Sequence, residues 1–222
     1  MTRPVAAMIL AAGRGERMRP LTDAVPKPLL VARGRPLIEW HVEALVAAGI
    51  TRLVINLAWL GDQIRTHLGD GARYGASIQY SDERASALET AGGIIHALPH
   101  LQPGPFAVVN GDVYTDYAFG ALQLPADADA HLVLVPTPAY LKSGDFGLEN
   151  RRVLPEAGVK YTFSGMAAYR TALFEGLREG VRPLKPLLVG AMQAGRCSGE
   201  LFRGRWDDIG TPERLAALNQ EP

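Results

Sequence analysis

The chain has 222 residues, 47% of them hydrophobic and 21% charged, enough apolar material for a sizeable core and too mixed a composition for a disordered or fibrous protein. Its 23 Lys and Arg balance 23 Asp and Glu, which excludes a general basic field for nucleic acid or an anionic membrane, so any anion must be held locally. The single cysteine, Cys197, excludes an intrachain disulfide and a cysteine-rich zinc site, and no basic leader or membrane-length apolar run is present, so a cytoplasmic protein is expected.

In chain order, short apolar runs alternate with helix-period segments. Strands are expected at 5–10, 52–57 and 77–80, and helices at 37–48 and 62–68. In the first helix Leu37, Trp40, His41, Ala44, Leu45 and Ala48 share one face, Pro36 suits the first helical position, and Gly49 suits the end. A short helix should open at 88–93, and buried strands are expected at 106–110 and 131–135. From 145 to 169 Gly, Pro and charged residues interrupt extended runs, which predicts an antiparallel insertion or lid. Helices near 171–177 and 185–194, a strand near 197–202 and a final helix from Pro212 complete the chain. The expected fold class is three-layer α/β: a Rossmann-like, mostly parallel mixed sheet, helices on both faces, and a small antiparallel insertion, in a single domain spanning 1–222.

The first chemistry-bearing stretch follows the first strand, where Leu10-Ala11-Ala12-Gly13-Arg14-Gly15-Glu16-Arg17 brings small residues to the carboxyl end expected to bind ligands. Such a turn lets a phosphate approach backbone N–H groups; a plain tight turn explains the glycines equally. A dinucleotide fingerprint needs a third glycine where Met18 stands, and a P-loop needs Gly-Lys-Ser/Thr, so neither pattern is present. Lys27 lies between Pro26 and Pro28, whose fixed φ values stiffen the loop and favour an extended Lys27. Lys binds phosphate as a point charge, whereas Arg17 can grip two oxygens.

The run L-A-A-G-x-G-x-R-x-x-P-L-T followed by P-K-P resembles the signature of the sugar-1-phosphate nucleotidyltransferases. Glu16 stands where the common form has Thr, as in the bacterial subgroup of N-acetylmuramate α-1-phosphate uridylyltransferases of cell-wall recycling, with some mannose-1-phosphate guanylyltransferase-like proteins close to it. The resemblance covers nearly the whole chain. It implies a nucleoside triphosphate, with UTP favoured, and a sugar 1-phosphate as partners, Mg²⁺ as cofactor, and pyrophosphate as a product. It assigns Leu10, Ala11, Ala12, Gly13, Gly15, Glu16, Arg17 and Lys27 to the nucleotide, with Lys27 and Arg17 catalytic.

Two acids suit the metal, because Mg²⁺ takes one or two protein carboxylates besides phosphate oxygens and water. Asp112 ends the apolar run Phe106-Ala-Val-Val-Asn110-Gly111, where a turn aspartate is the bland alternative; the resemblance makes it a metal ligand. In Arg205-Trp206-Asp207-Asp208-Ile209-Gly210-Thr211-Pro212 the resemblance maps the second ligand to Asp208, with Asp207 as fallback, while Thr211 and Pro212 read as a helix start. Glu89, Thr90 and Gly92, in L-E-T-A-G-G, are implied for the base, with Ala91 where the subgroup would carry Gly. Asn110, Asp145 and Gly165 are implied for the sugar, although a hairpin turn also accounts for Gly144-Asp145. The histidines 41, 67, 96, 100 and 131 show no metal-ligand spacing and read as core or surface residues. A nucleotide-binding half at about 1–112 and a sugar-binding half at about 113–222, a monomer in preference to a dimer, and no appended β-helical domain are expected. A non-catalytic nucleotide-sugar sensor is the competing class.

Overall fold

The computed structural model describes residues 1–83, 88–101 and 104–221. In chain order it contains β1 (Ala6–Leu10), β2 (Val31–Ala32), β3 (Arg35–Pro36), α1 (Leu37–Ala47), β4 (Arg52–Leu57), α2 (Gly61–Leu68), β5 (Ser77–Asp82) and α3 (Glu89–Leu101). There follow β6 (Phe106–Asn110), β7 (Val113–Thr115), β8 (Ala130–Val135), β9 (Gly147–Glu149), β10 (Arg152–Leu154), β11 (Thr162–Tyr169), α4 (Lys185–Gln193), β12 (Cys197–Leu201), β13 (Trp206–Asp208) and α5 (Pro212–Gln220).

Nine strands form one sheet in the order β5-β4-β1-β6-β11-β8-β12-β10-β9. Strands β5, β4, β1 and β6 run parallel. Along β1 the period of two divides the core: Ala6 and Met8 pack with Ile94 of α3 and Leu188 of α4, whereas Ala7 and Ile9 pack with Ile38 and Val42 of α1 and Ile64 of α2. Both faces are thereby covered by helices, the expected three layers. Helix α1 ends as its glycine predicts, with Gly49 at φ 81° and the Ile50 N–H returning to Leu45 O at 2.9 Å. Pro36, expected inside this helix, is the residue just before it.

Three expectations change. The segment 145–169 is not one insertion: β9 and β10 make an edge hairpin, but β11 runs through the sheet, antiparallel to both β6 and β8. Its Gly165, Ala167 and Ala168 hid a core strand, because small side chains give little hydrophobic signal where close packing needs them. The helix near 171–177 is a single 3-10 turn at Thr171–Phe174, stopped by Gly176 at φ 74°. The helix opening at residue 89 is not short, running 13 residues to Leu101.

A third small cluster sets the site. Met18 and Leu30 from the loops after β1 and Ala32 of β2 pack with Leu37 of α1, Ile209, and Leu215 and Leu218 of α5. Asn219 bonds across to Arg33 N and Val31 O at 2.6 and 3.0 Å. The last helix is therefore docked on the segment that precedes α1, although the two lie at opposite ends of the chain.

Candidate active site

Strand β1 connects through α1 to β4 on one side, while its other neighbour in the sheet is β6. This reversal of strand order opens a crevice at the carboxyl ends of β1 and β6, the usual ligand position in such sheets. A cleft of about 230 Å³ lies there, lined by residues 10–13 after β1, 110–112 after β6, Lys27, Pro28, Asn56, Glu83, Glu89 and Thr90. The two turns are stitched together: Gly111 N–H donates to Leu10 O at 2.9 Å, and a Cβ on Gly111 would stand 2.8 Å from that oxygen. Only glycine permits that approach.

Lys27 and Asp112, 85 residues apart, meet here with Nζ 2.5 Å from Oδ2. Lys27 is buried. It is not extended as the flanking prolines suggested, but opens a 3-10 turn, Lys27–Leu29, closed by Leu29 N–H donating to Pro26 O at 2.8 Å. Turn hydrogen bonds and the ion pair override the local preference. Gly15 explains the approach of the loop to this lysine: its φ is 69°, and a Cβ there would sit 3.1 Å from Thr22 Cγ2 and 3.2 Å from Lys27 Cβ. Gly13 has nothing within 4 Å of its would-be Cβ, so its smallness serves nothing inside the protein.

Asn56 and Glu83 were missed by sequence reasoning. Asn56 Oδ1 accepts from Ala11 N–H at 2.8 Å, Asn56 Nδ2 donates to Glu83 Oε1 at 2.7 Å, and Glu83 Oε2 accepts from Leu88 N–H at 2.9 Å. This buried relay ties the glycine-rich turn to the start of α3. The available signal was a polar residue at the carboxyl end of an apolar strand, Val54-Ile55-Asn56. At α3 itself, Glu89 holds φ 57° and lines the cleft beside Thr90. Gly92 does not: its N–H and that of Ala91 donate to Arg182 O at 3.2 and 3.0 Å, and a Cβ on Gly92 would lie 2.2 Å from Gly180 O. Packing against the residue 180–182 segment accounts for this glycine.

A two-stranded ribbon brings Asp208 alongside the Asp112 turn, although Asp208 itself lines a separate small cavity with Tyr140, Ile209 and Arg214 and not the cleft. β13 pairs antiparallel with β7, setting Asp208 opposite Val113, and Ile209 N–H donates to Asp112 O at 2.9 Å. Alternation along β13 separates the neighbouring acids: Arg214 Nη1 lies 3.0 Å from Asp208 Oδ2, while Arg205 Nε lies 3.1 Å from Asp207 Oδ2. Arg17 stands outside the cleft, with Nη2 3.1 Å from the would-be Cβ of Gly210, which is itself 3.2 Å from Asp208 Oδ1. Glu16 is exposed and bonded to Arg14 Nε at 2.9 Å. Gly165 packs on Asn110, its would-be Cβ 2.5 Å from Asn110 Nδ2, and Asp145 Oδ2 accepts from Phe163 N–H at 3.0 Å. Of the three sugar candidates, Asn110 lines the cleft, Gly165 of β11 packs against Asn110, and Asp145, in the loop before β9, bonds to Phe163 of β11 and does not line the cleft.

His41, read as a core or surface residue, is buried in α1 on the side of Asp112. Burial pulls its imidazole down to about 4, outweighing the favourable charge of Asp112, and Nε2 has no partner among the described residues.

The donor set fits a hard divalent cation. Asp112 lies in the turn just before β7, and Asp208 ends β13 opposite Val113; each has one side-chain oxygen paired with a basic side chain, Lys27 or Arg214, and the other accepting no hydrogen bond among the described residues. Among the described residues no group of three or more His, Cys, Asp or Glu side chains forms, so phosphate and water oxygens would complete the shell.

Residues 6–150 match the family model described as Nucleotidyl transferase. The chain is 53% identical over 218 residues to the N-acetylmuramate alpha-1-phosphate uridylyltransferase of Neisseria meningitidis serogroup B, with 94% of each chain covered. It is 35% identical over 231 residues to the Caulobacter vibrioides protein of the same name, with 96% of each covered. A solved Bacillus anthracis structure, described as a glucose-1-phosphate thymidylyltransferase, superposes with TM-score 0.84 over 96% of this chain and 93% of that one, at 20% identity.

Proposed function

The chain belongs to the nucleotidyl transferase family, and from that premise we propose that it transfers a uridylyl group from UTP to N-acetylmuramic acid α-1-phosphate, releasing pyrophosphate. The observation that carries the choice of substrates is the 53% identity, over 94% of both chains, to a uridylyltransferase acting on that sugar phosphate. The cleft at the β1/β6 reversal supports the reaction class.

A sugar-phosphate oxygen attacks the α-phosphorus and pyrophosphate departs from the far side. The attacking phosphate is already anionic, so the site needs alignment and positive charge, with no general base. Lys27, stiffened by its turn and packed against Gly15, supplies a fixed ammonium at the mouth of the glycine-rich turn. The open face of Gly13 and the N–H groups around it offer the triphosphate a close backbone approach. Arg17 reaches the outer phosphates from the Asp208 side. Asp112 and Asp208 hold Mg²⁺, which supplies charge neutralisation at the phosphates when bound. Glu89 and Thr90, which line the cleft, face the base, and Asn110, also in the lining and packed on Gly165, faces the sugar with Asp145. The reading places both halves, 1–112 and 113–222, in one domain acting as a monomer in the cytoplasm; no helix among the described residues is long and apolar enough to cross a membrane.

The test is a pyrophosphate-release panel of UTP, GTP, dTTP, CTP and ATP against N-acetylmuramic acid, N-acetylglucosamine, glucose and mannose 1-phosphates. The highest kcat/KM is expected for UTP with the muramic acid compound. A preference for GTP with mannose 1-phosphate would replace this reading with guanylyl transfer, and nucleotide binding without turnover of any pair would indicate a sensor.

A further inference from the structure

Resting on the reading of Asp112 and Asp208 as the metal acids, we propose that Arg214 is a positioning residue for Asp208, turning one carboxylate oxygen toward the cation and tying that acid to the sugar-side loop. A single nitrogen, Arg214 Nη1, lies 3.1 Å from Asp208 O and 3.0 Å from Asp208 Oδ2. It therefore clamps the side chain against its own backbone and fixes its rotation. The other oxygen, Oδ1, is left on the Arg17 side, over Gly210, where a Cβ would meet Arg17 Nη2 at 3.1 Å, Arg214 Nη1 at 3.2 Å and Oδ1 at 3.2 Å. Glycine at 210 leaves the spot where Arg17, Arg214 and Asp208 converge free of a side chain.

Arg214 is itself held from two directions. Its backbone N–H donates to Thr211 Oγ1 at 3.4 Å at the start of α5, and its guanidinium lies 3.6 Å from the ring centre of Tyr140. Tyr140 belongs to the loop between β8 and β9 that also carries Ser143, Gly144 and Asp145. The arginine thus joins the second metal acid to the segment expected at the sugar. The planar guanidinium suits this task, since one face stacks on the Tyr140 ring while Nη1 bonds the backbone oxygen and Oδ2 of Asp208. Groups that orient a ligating carboxylate in this way commonly change metal affinity by about 10- to 100-fold when removed.

The experiment measures Mn²⁺ affinity by EPR in the presence of UTP without sugar phosphate, alongside kcat and the KM values at saturating metal. Arg214→Met should raise the Mn²⁺ Kd by about 10- to 100-fold and leave kcat at saturating metal within a few-fold of wild type. Tyr140→Ala should raise the Mn²⁺ Kd by a smaller factor and the sugar-phosphate KM with it. An unchanged Kd in Arg214→Met overturns the proposal, as does a tighter one, which would make Arg214 a competing counter-ion. If Arg214→Met melts early without metal, Arg214→Lys, which keeps the charge and loses the planar stack, must still weaken Mn²⁺ binding, or the proposal falls. Failure of the wild-type protein to bind Mn²⁺ with UTP would instead sink the reading of Asp112 and Asp208.

Discussion

Lys27 shows how a residue's neighbours, more than its type, define its role. A lysine in a proline-flanked loop is ordinarily solvated; here it is buried, with Nζ 2.5 Å from Asp112 Oδ2. The proposed mechanism asks it to stabilise charge on the phosphates. Lys27→Ala should therefore lower kcat at saturating substrates by about 10²- to 10³-fold, measured by pyrophosphate release, and near-normal kcat would remove Lys27 from the chemistry. At this scale the sequence marked Lys27, Asp112 and Asp208 by their motifs. It did not mark Asn56 or Glu83, because the bonds that make them matter, from Asn56 to Ala11 and to Glu83, span 45 and 27 residues and exist only once strands β1, β4 and β5 are side by side.

Among the elements, two glycines that look alike in sequence separate. Gly92 at the start of α3 faces Gly180 O, with 2.2 Å available for a Cβ, whereas Gly13 after β1 faces open space. Gly92→Ala should destabilise the fold by about 1 to 3 kcal/mol through overpacking, read by urea unfolding. Gly13→Ala should leave unfolding within about 0.5 kcal/mol of wild type and raise the KM for UTP; an equal loss of stability in both would refute the distinction. Strand β11 teaches the same lesson in reverse. The segment reads as part of an antiparallel insertion or lid with interrupted extended runs, yet its glycine and alanines are what the crowded position between β6 and β8 requires. Periodic elements with large apolar residues, such as α1 and β4, were legible to within a residue or two.

For the whole molecule, acid should act through a histidine that the chemistry does not use. The unfolded chain binds a proton on His41 near pH 6.5, while the folded protein, which buries the ring, refuses it until about 4. The unfolded state therefore holds more protons between these values, so this contribution to stability is complete above pH 6.5, drains as pH falls through the window, and is flat below it. The loss is about 3 kcal/mol by pH 4, and urea unfolding from pH 7 to pH 4 should show a shallower decline for His41→Gln than for wild type. Parallel declines would show that other groups set the acid limit. What the sequence by itself determined was chemistry that is local along the chain: a glycine-rich turn after a strand, an aimed lysine, two acids in turn contexts, and alternating elements that imply a layered α/β fold. The tertiary structure decided which of these meet. Asp208 lies 96 residues beyond Asp112 and comes beside it only because β13 pairs with β7 and because Ile209, Leu215 and Leu218 bury against Met18 and Leu30. Burial of apolar surface and strand pairing act between residues that the chain order does not relate, so partnership in the site is a property of the fold.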